Sequence, residues 1–312
     1  MNHVPYPKIV HLDKDEAEGI LDGDVVVIQE KIDGANLSVW KTEDGLYVGS
    51  RTQIVGTPTI RTGFRWAVEY VNAHEGIKQL LDTYPNFRLF GEWLVPHTVK
   101  YPDKFYNKFW LFDILDESTG EWMSPIDVKT IASDFLIHSP KVFHYGEANR
   151  DKISEFVGKS ELEVAGEGVV VKRFGWKNKF GEHKYAKVVS DSFKERNQIV
   201  FGNTHKDSTP ELDFAVSTVT IPRVIKLVHK MEQDKDKDAD KSFIGELIGR
   251  VYHDAFTEEL WDYVKKNRVK NFDFQKAEKY CMDRTKVLFF DYLDGFKSVA
   301  NSHEYGKEVN IP

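Results

Sequence analysis

Short strand-like runs, either continuously apolar or alternating between apolar and polar residues, dominate the first two-thirds of the chain. Residues 25–50 contain three such runs, VVVIQ, NLSVWK and LYVGS, and the Asp44-Gly45 pair before the third is typical of a hairpin turn. Apolar positions at helical spacing over residues 64–84 predict one or two helices. Later strand patterns are FRLFGEWLV, KFWLFDIL, GVVVKRF and YAKVVS. The pattern therefore predicts a strand-rich region with a few packed helices.

Towards the C-terminus the apolar positions recur with the period of an amphipathic helix. They are Val224, Leu227, Val228, Met231, Phe243, Leu247, Val251, Leu260, Val264, Tyr280 and Val287. A charged stretch, EQDKDKDADK, is predicted to be an exposed loop or a frayed helix end. We therefore predict an α+β domain over residues 1–204 and a smaller all-helical domain over residues 205–312.

The composition narrows the class of protein. The single cysteine, Cys281, excludes an internal disulfide and a cysteine-based zinc site, and it favours a reducing compartment. The chain has no long apolar run of the kind that crosses a membrane, and its first residues lack the pattern of a signal peptide. The histidines show no metal-ligand spacing. We expect a cytoplasmic protein without a membrane partner.

The distribution of charge adds one possible binding surface. The net charge of −7 argues against indiscriminate binding of nucleic acid by the whole surface. Residues 172–196, however, contain eight basic residues and three acidic ones. This local excess predicts a place for a polyphosphate partner, although a solvated charged face explains such a run equally well.

A lysine interrupts the strand pattern within QEKIDGANLSVW, residues 29–40. Lysine is a poor nucleophile at its ordinary pKa of about 10.4, so a reactive lysine must be deprotonated by burial or by nearby positive charge. Gly34 would let the backbone turn tightly and let a phosphate approach, and Asn36 would fix the loop by side-chain hydrogen bonds. A Lys-x-Asp-Gly match alone is weak, because a plain turn between two strands also explains it.

EKIDGAN resembles the nucleotide-attachment motif of the covalent nucleotidyltransferases, which include ATP-dependent RNA and DNA ligases and mRNA capping enzymes. Later segments resemble the next motifs of that superfamily in the same order: GSR at 49–51, LFGEW at 89–93, WLFDIL at 110–115, EGVVVK at 167–172 and YAKVVSDSFKE at 185–195. Chance is a poor explanation for so many ordered matches. The resemblance implies a nucleotidyltransferase (ATP-grasp-like ligase) domain of antiparallel sheets with packed helices.

The resemblance also implies roles around a bound ATP. Lys31 would attack the α-phosphorus, forming a lysyl-AMP bond and releasing pyrophosphate. Arg51 would hold the sugar or a phosphate oxygen, and Glu92 would accept a hydrogen bond from a ribose hydroxyl. Phe112 would stack on the adenine, although a strand phenylalanine is more often a core residue. The nucleotide-binding residues implied in this way are Glu30 at the adenine edge, Asn36, Arg51, Glu92 and Phe112.

The same motifs imply a metal ligand and two further catalytic lysines. Glu167 would help to hold Mg²⁺ or Mn²⁺, since hard cations take oxygen ligands. Lys172 and Lys187 would contact the α-phosphate, and their positive charges would lower the pKa of Lys31. The superfamily often has Lys-x-Lys in its last motif, whereas here Val189 stands two positions after Lys187, and Lys184 is a candidate substitute.

The helical tail favours one branch of the superfamily. DNA ligases and capping enzymes carry a C-terminal barrel domain, whereas phage-type RNA ligases resemble this chain in having a helical one. We therefore predict an ATP-dependent RNA ligase that joins RNA 5′-phosphate and 3′-hydroxyl ends. The alternatives are an ATP-dependent DNA ligase acting on DNA ends, a capping-type guanylyltransferase and a catalytically silent RNA-binding relative. Arg223, Lys226 and Lys230 form a further candidate surface for nucleic-acid phosphates, with a solvated helix face as the more ordinary explanation.

Overall fold

A computed structural model describes residues 3–57, 64–95, 99–190 and 209–293 of the chain. The strands are β1 (Val10–His11), β2 (Val26–Lys31), β3 (Ala35–Thr42), β4 (Gly45–Gly49), β5 (Ile54–Gly56), β6 (Phe87–Leu94), β7 (Lys108–Asp116), β8 (Glu121–Trp122), β9 (Val142–Gly146), β10 (Gly168–Lys172) and β11 (Ala186–Val189). The α-helices are α1 (Arg65–Ala73), α2 (Glu75–Thr83), α3 (Pro125–Asp134), α4 (Arg150–Ser154), α5 (Pro210–Thr218), α6 (Ile221–Lys235), α7 (Ile244–Lys266) and α8 (Phe274–Asp291).

The strands form two sheets in a mixed α+β arrangement. The six-stranded sheet has the order β5-β4-β3-β6-β7-β8, and the five-stranded sheet has the order β1-β11-β10-β2-β9. Neighbouring strands are antiparallel except for β1, which pairs with β11 in parallel. The predicted α+β class with antiparallel sheets and helices is therefore confirmed at this level.

The six-stranded sheet buries one face against helices. Along β3, Leu37 and Val39 alternate with Asn36 and Ser38, because successive side chains of a strand point to opposite faces. The two apolar residues belong to a core that also contains residues of α1, α2 and α3. The other face carries Asn36, and its partner across the sheet is Glu92 of β6.

The five-stranded sheet is divided in the same way. Val26 and Ile28 of β2 pack into a core that contains residues of β10 and of the segment before β2. The opposite face of β2 carries Lys31. Gly168 of β10 lies opposite Lys31, and Val170 lies opposite Lys187 of β11. Because side chains alternate along each strand, Lys31, Lys172 and Lys187 share one face of the sheet.

The chain divides into two compact units, Met1–Lys194 with Gln233–Asp236, and Glu195–Glu232 with Lys237–Pro312. In the described part of the second unit the regular elements are all helices. The predicted boundary between residues 204 and 205 lies outside the described residues. Within the described ranges, none of the helices combines the length and apolarity needed to cross a bilayer.

The second unit has a core of its own, built from the helices α5–α8. The predicted apolar positions of α6 are buried, but Val287 of α8 is 60% exposed, which contradicts its predicted inward position. The buried face of α8 instead carries Ala277, Cys281, Thr285 and Phe289 at intervals of one helical turn. Small and polar residues at three of these positions hide the amphipathic pattern from a search for large apolar residues.

Several elements are too short for their sequence to show a periodic pattern of apolar residues. The strands β1, β5 and β8 contain two or three residues each, too few to show alternation. Between β1 and β2, Asp15–Ala17 forms a single 3-10 turn. The apolar pattern did not predict helix α3, but the sequence contains a helix-start signal there. Ser124 caps the helix by accepting a hydrogen bond from Asp127 N, and Pro125 follows at the first helical position.

Candidate active site

Lys31 and Glu167 form the centre of the site. Lys31 is the last residue of β2, and Glu167 immediately precedes β10, which is the neighbouring strand. Lys31 Nζ donates a hydrogen bond to Glu167 Oε2 at 2.7 Å. The Lys31 side chain is 23% exposed and that of Glu167 is 7% exposed. The structure thus brings together two of the predicted site residues, and the lysine side chain remains partly exposed.

The charges around Lys31 keep its amine protonated. Burial lowers the pKa of Lys31, but the carboxylates of Glu167 and Glu92 outweigh burial, and the pKa lies above its ordinary value. The expectation that Lys172 and Lys187 lower this pKa is therefore wrong for this structure. The physical reason is that carboxylates, and not the two lysines, dominate the field at the amine.

The loop after Lys31 is held by two carboxylates. Gly34 N donates to Glu92 Oε1 at 3.0 Å, and Val99 N donates to Asp33 Oδ2 at 2.8 Å. Asp33 N in turn donates to the hydroxyl of Tyr101 at 3.0 Å. Sequence reasoning did not give Asp33 this role. These bonds fix the direction in which the chain leaves Lys31, which positions the amine.

Gly34 is needed for close approach to β6. A Cβ at this position would lie 2.6 Å from the carbonyl oxygen of Trp93 and 3.0 Å from Cγ of Glu92. The backbone of Gly34 does not adopt the left-handed conformation, so the tight-turn explanation for this glycine does not apply. The absence of a side chain lets the loop lie against the strand that carries Glu92.

We expect Gly34→Ala to slow covalent nucleotide attachment at Lys31 by about a hundredfold, because a misplacement of the order of 1 Å has that effect on a reacting group. The measurement is the initial rate of protein labelling by α-labelled ATP with a divalent cation. Gly249→Ala is the matched control, since nothing lies within 4 Å of a Cβ built at Gly249. Equal rates for the two variants would contradict this role of Gly34.

Asn36, Arg51 and Phe112 differ in how the structure places them. Asn36 lies beside Glu92, and its amide forms no hydrogen bond with any described part of the chain, so it does not fix the loop as predicted. Arg51 is exposed in a bend two residues after the end of β4, rather than on the strand itself. Phe112 is partly buried, and its ring centroid lies 5.0 Å from that of Tyr6.

Lys172 does not present its amine to a ligand in this structure. Its side chain is 1% exposed, and Nζ donates to Asp113 Oδ2 at 2.9 Å and to the carbonyl of Phe112 at 2.8 Å. The predicted contact of Lys172 with the α-phosphate is corrected accordingly. Burial lowers the pKa of Lys172 against the opposing effect of Asp113, as expected for a lysine that is enclosed with its counter-ion.

Two tyrosines complete the surroundings of Asp113. The hydroxyl of Tyr6 donates to Asp113 Oδ2, and Tyr185 is 2% exposed beside the same carboxylate. Burial and the charge of Asp113 raise the pKa of both tyrosines well above the ordinary value, so both hydroxyls stay protonated. This network holds the backbone of Phe112 through Lys172 and therefore positions the ring that is predicted to stack on adenine.

Lys187 lies on β11, on the same sheet face as Lys31, and is half-buried. The candidate substitute Lys184 lies before the strand and pairs with Glu182 at 3.6 Å. Lys184 is three positions before Lys187, and side chains of a strand alternate between its two faces. Lys184 therefore does not lie on the face that carries Lys187. Tyr185 occupies the position two residues before Lys187, and it is buried against Asp113. The last residues of the motif, 191–195, lie outside the described residues.

Glu30 points away from Lys31. It is 3% exposed on the opposite face of β2, and it accepts hydrogen bonds from Ser160 Oγ and Glu161 N. Burial raises the pKa of Glu30 against the lowering effect of these donors. The structure does not bring this side chain together with the other site residues, and its adenine contact stays a prediction. The period of two along β2 was the signal that could have placed it on the far face.

The arrangement fits a metal site that a substrate completes. In the described part of the chain, no group of three or more histidine, cysteine or carboxylate side chains forms a ready-made metal cluster. A magnesium ion bound to a nucleotide typically takes one or two protein carboxylates together with phosphate oxygens and waters. Glu167, with its carboxylate directed at Lys31, meets this requirement.

Solved structures with a related fold come from Naegleria gruberi RNA ligase. One mutant of that enzyme with AMP and Mn matches at 20% identity and a TM-score of 0.48, over 62% of this chain and 58% of that chain. Another mutant with ATP and Mn matches at 19% identity and a TM-score of 0.47, over 62% and 58%. This chain therefore spans less than two-thirds of the length of those relatives. At these values the likeness carries no argument about this chain.

A search of curated proteins gives no significant match. The family model described as RNA ligase matches residues 24–189, which is more than half of the chain. This range contains every residue assigned above to the bound nucleotide or to the metal. The protein therefore belongs to the RNA ligase family.

Proposed function

We propose that the protein is an ATP-dependent RNA ligase that works through a lysyl-AMP intermediate on Lys31. The observation that carries this proposal is the Lys31–Glu167 pair. An amine at a strand end, partly open to solvent, contacts a carboxylate suited to a divalent cation. Membership of the RNA ligase family supports the choice of RNA as substrate. The same proposal makes residues 1–204 a nucleotidyltransferase domain and residues 205–312 its helical C-terminal domain.

The reaction proceeds in three steps that share one pocket. Lys31 Nζ, after losing a proton, bonds to the α-phosphorus of ATP while the bond from that phosphorus to pyrophosphate breaks. An oxygen of the RNA 5′-phosphate then attacks the same phosphorus, the P–N bond breaks, and the amine regains a proton. Finally the RNA 3′-hydroxyl attacks the activated 5′-phosphate, AMP leaves, and a phosphodiester bond is formed.

The residues of the two sheets contribute binding and orientation. Glu92 holds the backbone of the lysine loop, and Asn36 beside it presents an uncommitted amide to the nucleotide. Phe112 stacks on the adenine, and Arg51 and Lys187 contribute positive charge towards sugar or phosphate. Mg²⁺ or Mn²⁺ bound through Glu167 would neutralise phosphate charge.

The test of the proposal is a ligation assay with purified protein, ATP and Mg²⁺. Nicked RNA, nicked DNA and single-stranded RNA with 5′-phosphate and 3′-hydroxyl ends are offered in parallel, and sealed product is measured. We expect RNA ends to be joined. A clear preference for DNA ends would replace the RNA assignment with a DNA ligase, and a requirement for GTP would indicate a capping-type enzyme. Binding of RNA without any protein–AMP adduct would indicate a silent relative.

The first step is expected to accelerate with pH. Only the neutral amine carries the lone pair that attacks phosphorus, and the pKa of Lys31 is raised, so the neutral fraction is small at neutral pH. Below that pKa the neutral fraction grows about tenfold for each pH unit. The rate of adduct formation with saturating ATP and Mg²⁺, measured from pH 6 to pH 8, should rise accordingly. A flat profile would mean that deprotonation of Lys31 does not limit this step.

A further inference from the structure

The turn between α7 and α8 carries an unusual group of cations. Between Asp262 and Asp273 the chain has four basic residues and no acidic one. We call them the basic turn; they are Lys265, Lys266, Arg268 and Lys270. All four are exposed, and none of them pairs with a carboxylate in the described part of the chain. Many other cations of the same helical unit do form ion pairs, among them Arg223, Lys237, Arg250, Lys276 and Lys286.

The backbone of the turn is well defined. At the end of α7, Val269 N donates to the carbonyl of Val264 at 3.1 Å, and Arg268 N donates to that of Lys265 at 3.4 Å. This pair of bonds is the Schellman motif, in which the residue after the cap is left-handed and is usually glycine. Here Arg268 holds that position with φ of 50°. The chain therefore places an arginine where glycine is favoured by the backbone, which points to a use for its charge.

Two exposed aromatic rings flank the basic turn. Trp261 is 68% exposed and lies one helical turn before Lys265, on the same side of α7. Phe274 is 58% exposed at the start of α8. Aromatic rings beside unpaired cations are the chemistry by which proteins hold single strands, since phosphates pair with the cations and bases stack on the rings.

Arg223, one of the three residues predicted from sequence to form a surface for nucleic-acid phosphates, does not offer this chemistry. Arg223 on α6 is 14% exposed and is committed to Asp254 at 2.9 Å and to Glu259 at 3.1 Å. It also donates to the carbonyl of Thr218. An arginine held by two carboxylates and a carbonyl is part of the packing between helices. The prediction that Arg223 contacts nucleic-acid phosphates is therefore corrected.

We propose that the basic turn binds the phosphate backbone of the single-stranded RNA whose ends the protein joins. This inference rests on the proposed function for the identity of the polyanion. Lysines in the last turn of a helix also stabilise its dipole, which explains Lys265 and Lys266 without a ligand. It does not explain Arg268 and Lys270, which lie beyond the helix. In a protein of net charge −7, a polyanionic strand is attracted most strongly where unpaired cations are concentrated.

The first experiment compares two variants of the full chain that lose the same charge. One replaces the four residues of the basic turn with alanine. The other replaces Lys237, Lys241, Arg250 and Lys286 with alanine. Binding of a 5′-phosphorylated single-stranded RNA is followed by fluorescence anisotropy at several salt concentrations. Removing the charges of the basic turn should weaken RNA binding at least tenfold. The slope of the logarithm of the binding constant against the logarithm of the salt concentration should become shallower by about 2 to 3, because each phosphate contact contributes roughly 0.7 to it. The control should retain the native slope.

The second experiment separates binding from structure. Arg268→Gly gives the turn the residue that its conformation favours, so the melting temperature should stay the same or rise. We expect RNA affinity nevertheless to fall several-fold. Native RNA affinity in Arg268→Gly together with a native salt slope in the fourfold alanine variant would overturn the proposal. An equal loss of slope in the control would overturn it too, since the effect would then be one of net charge.

Failure of the basic-turn proposal can be distinguished from failure of the proposed ligase function. Labelling of the protein by α-labelled ATP tests Lys31 and does not require RNA. Suppose that the protein is labelled and that the fourfold alanine variant binds RNA with native affinity. This result would reject the role of the basic turn and leave the ligase proposal standing. Absence of labelling, with RNA binding that depends on the basic turn, would reject the ligase proposal and keep the binding surface.

Discussion

Replacing Lys31 with alanine is expected to reduce formation of the protein–AMP adduct by at least about a thousandfold, because the variant lacks the nucleophile. The measurement is incubation with α-labelled ATP and Mg²⁺, followed by denaturing electrophoresis. Lys31→Arg should be equally inactive, since a guanidinium keeps the positive charge but does not become a neutral nucleophile. Both variants should also fail to join RNA ends that have not been activated beforehand.

The matched control for this experiment is Lys41→Ala. Lys41 lies on the next strand, β3, and pairs with Asp82 at the surface. Surface ion pairs contribute little to stability, so this variant should be labelled at the native rate. Label retained by Lys31→Ala would show that another residue carries the nucleotide. An unchanged circular dichroism spectrum of Lys31→Ala would show that the loss of label does not come from unfolding.

The second large effect is on stability. Lys172→Met is expected to lower the free energy of unfolding by about 3–5 kcal/mol, because it leaves the carboxylate of Asp113 buried without its counter-ion. For a chain of this size the melting temperature should fall by roughly 10 °C. The double variant Lys172→Met with Asp113→Leu should recover part of this loss, since it removes both buried charges, although it leaves the buried hydroxyl of Tyr6 without its acceptor.

Thermal unfolding of the two single variants and the double variant gives the interaction energy between the residues. If Lys172→Met alone were as stable as the native protein, the pair would not be buried as the structure has it. The double variant also tests the positioning role. It regains stability but loses the hydrogen bond from Lys172 to the carbonyl of Phe112. We therefore expect its affinity for ATP to remain weakened, whereas a purely structural role would restore affinity together with stability.

The sequence by itself determined the order of the long elements and singled out Lys31 as the candidate nucleophile. The strands β2, β3, β6, β7, β10 and β11 follow from short apolar or alternating runs, which are a local property that neighbours in the chain suffice to define. The same holds for Lys31, whose surrounding motif is contiguous. Even the direction of Glu30, away from Lys31, is contained in the period of two along β2.

Only the tertiary structure decided what each charged residue meets. Glu167 lies 136 positions from Lys31, and the register of β10 against β2 brings their side chains within 2.7 Å. Lys172 was expected at a phosphate but lies enclosed with Asp113, 59 positions away. The pKa of Lys31 followed from these contacts and moved opposite to expectation. A charge acquires its partner, and therefore its pKa, through strand register and packing between distant segments, which no local pattern encodes.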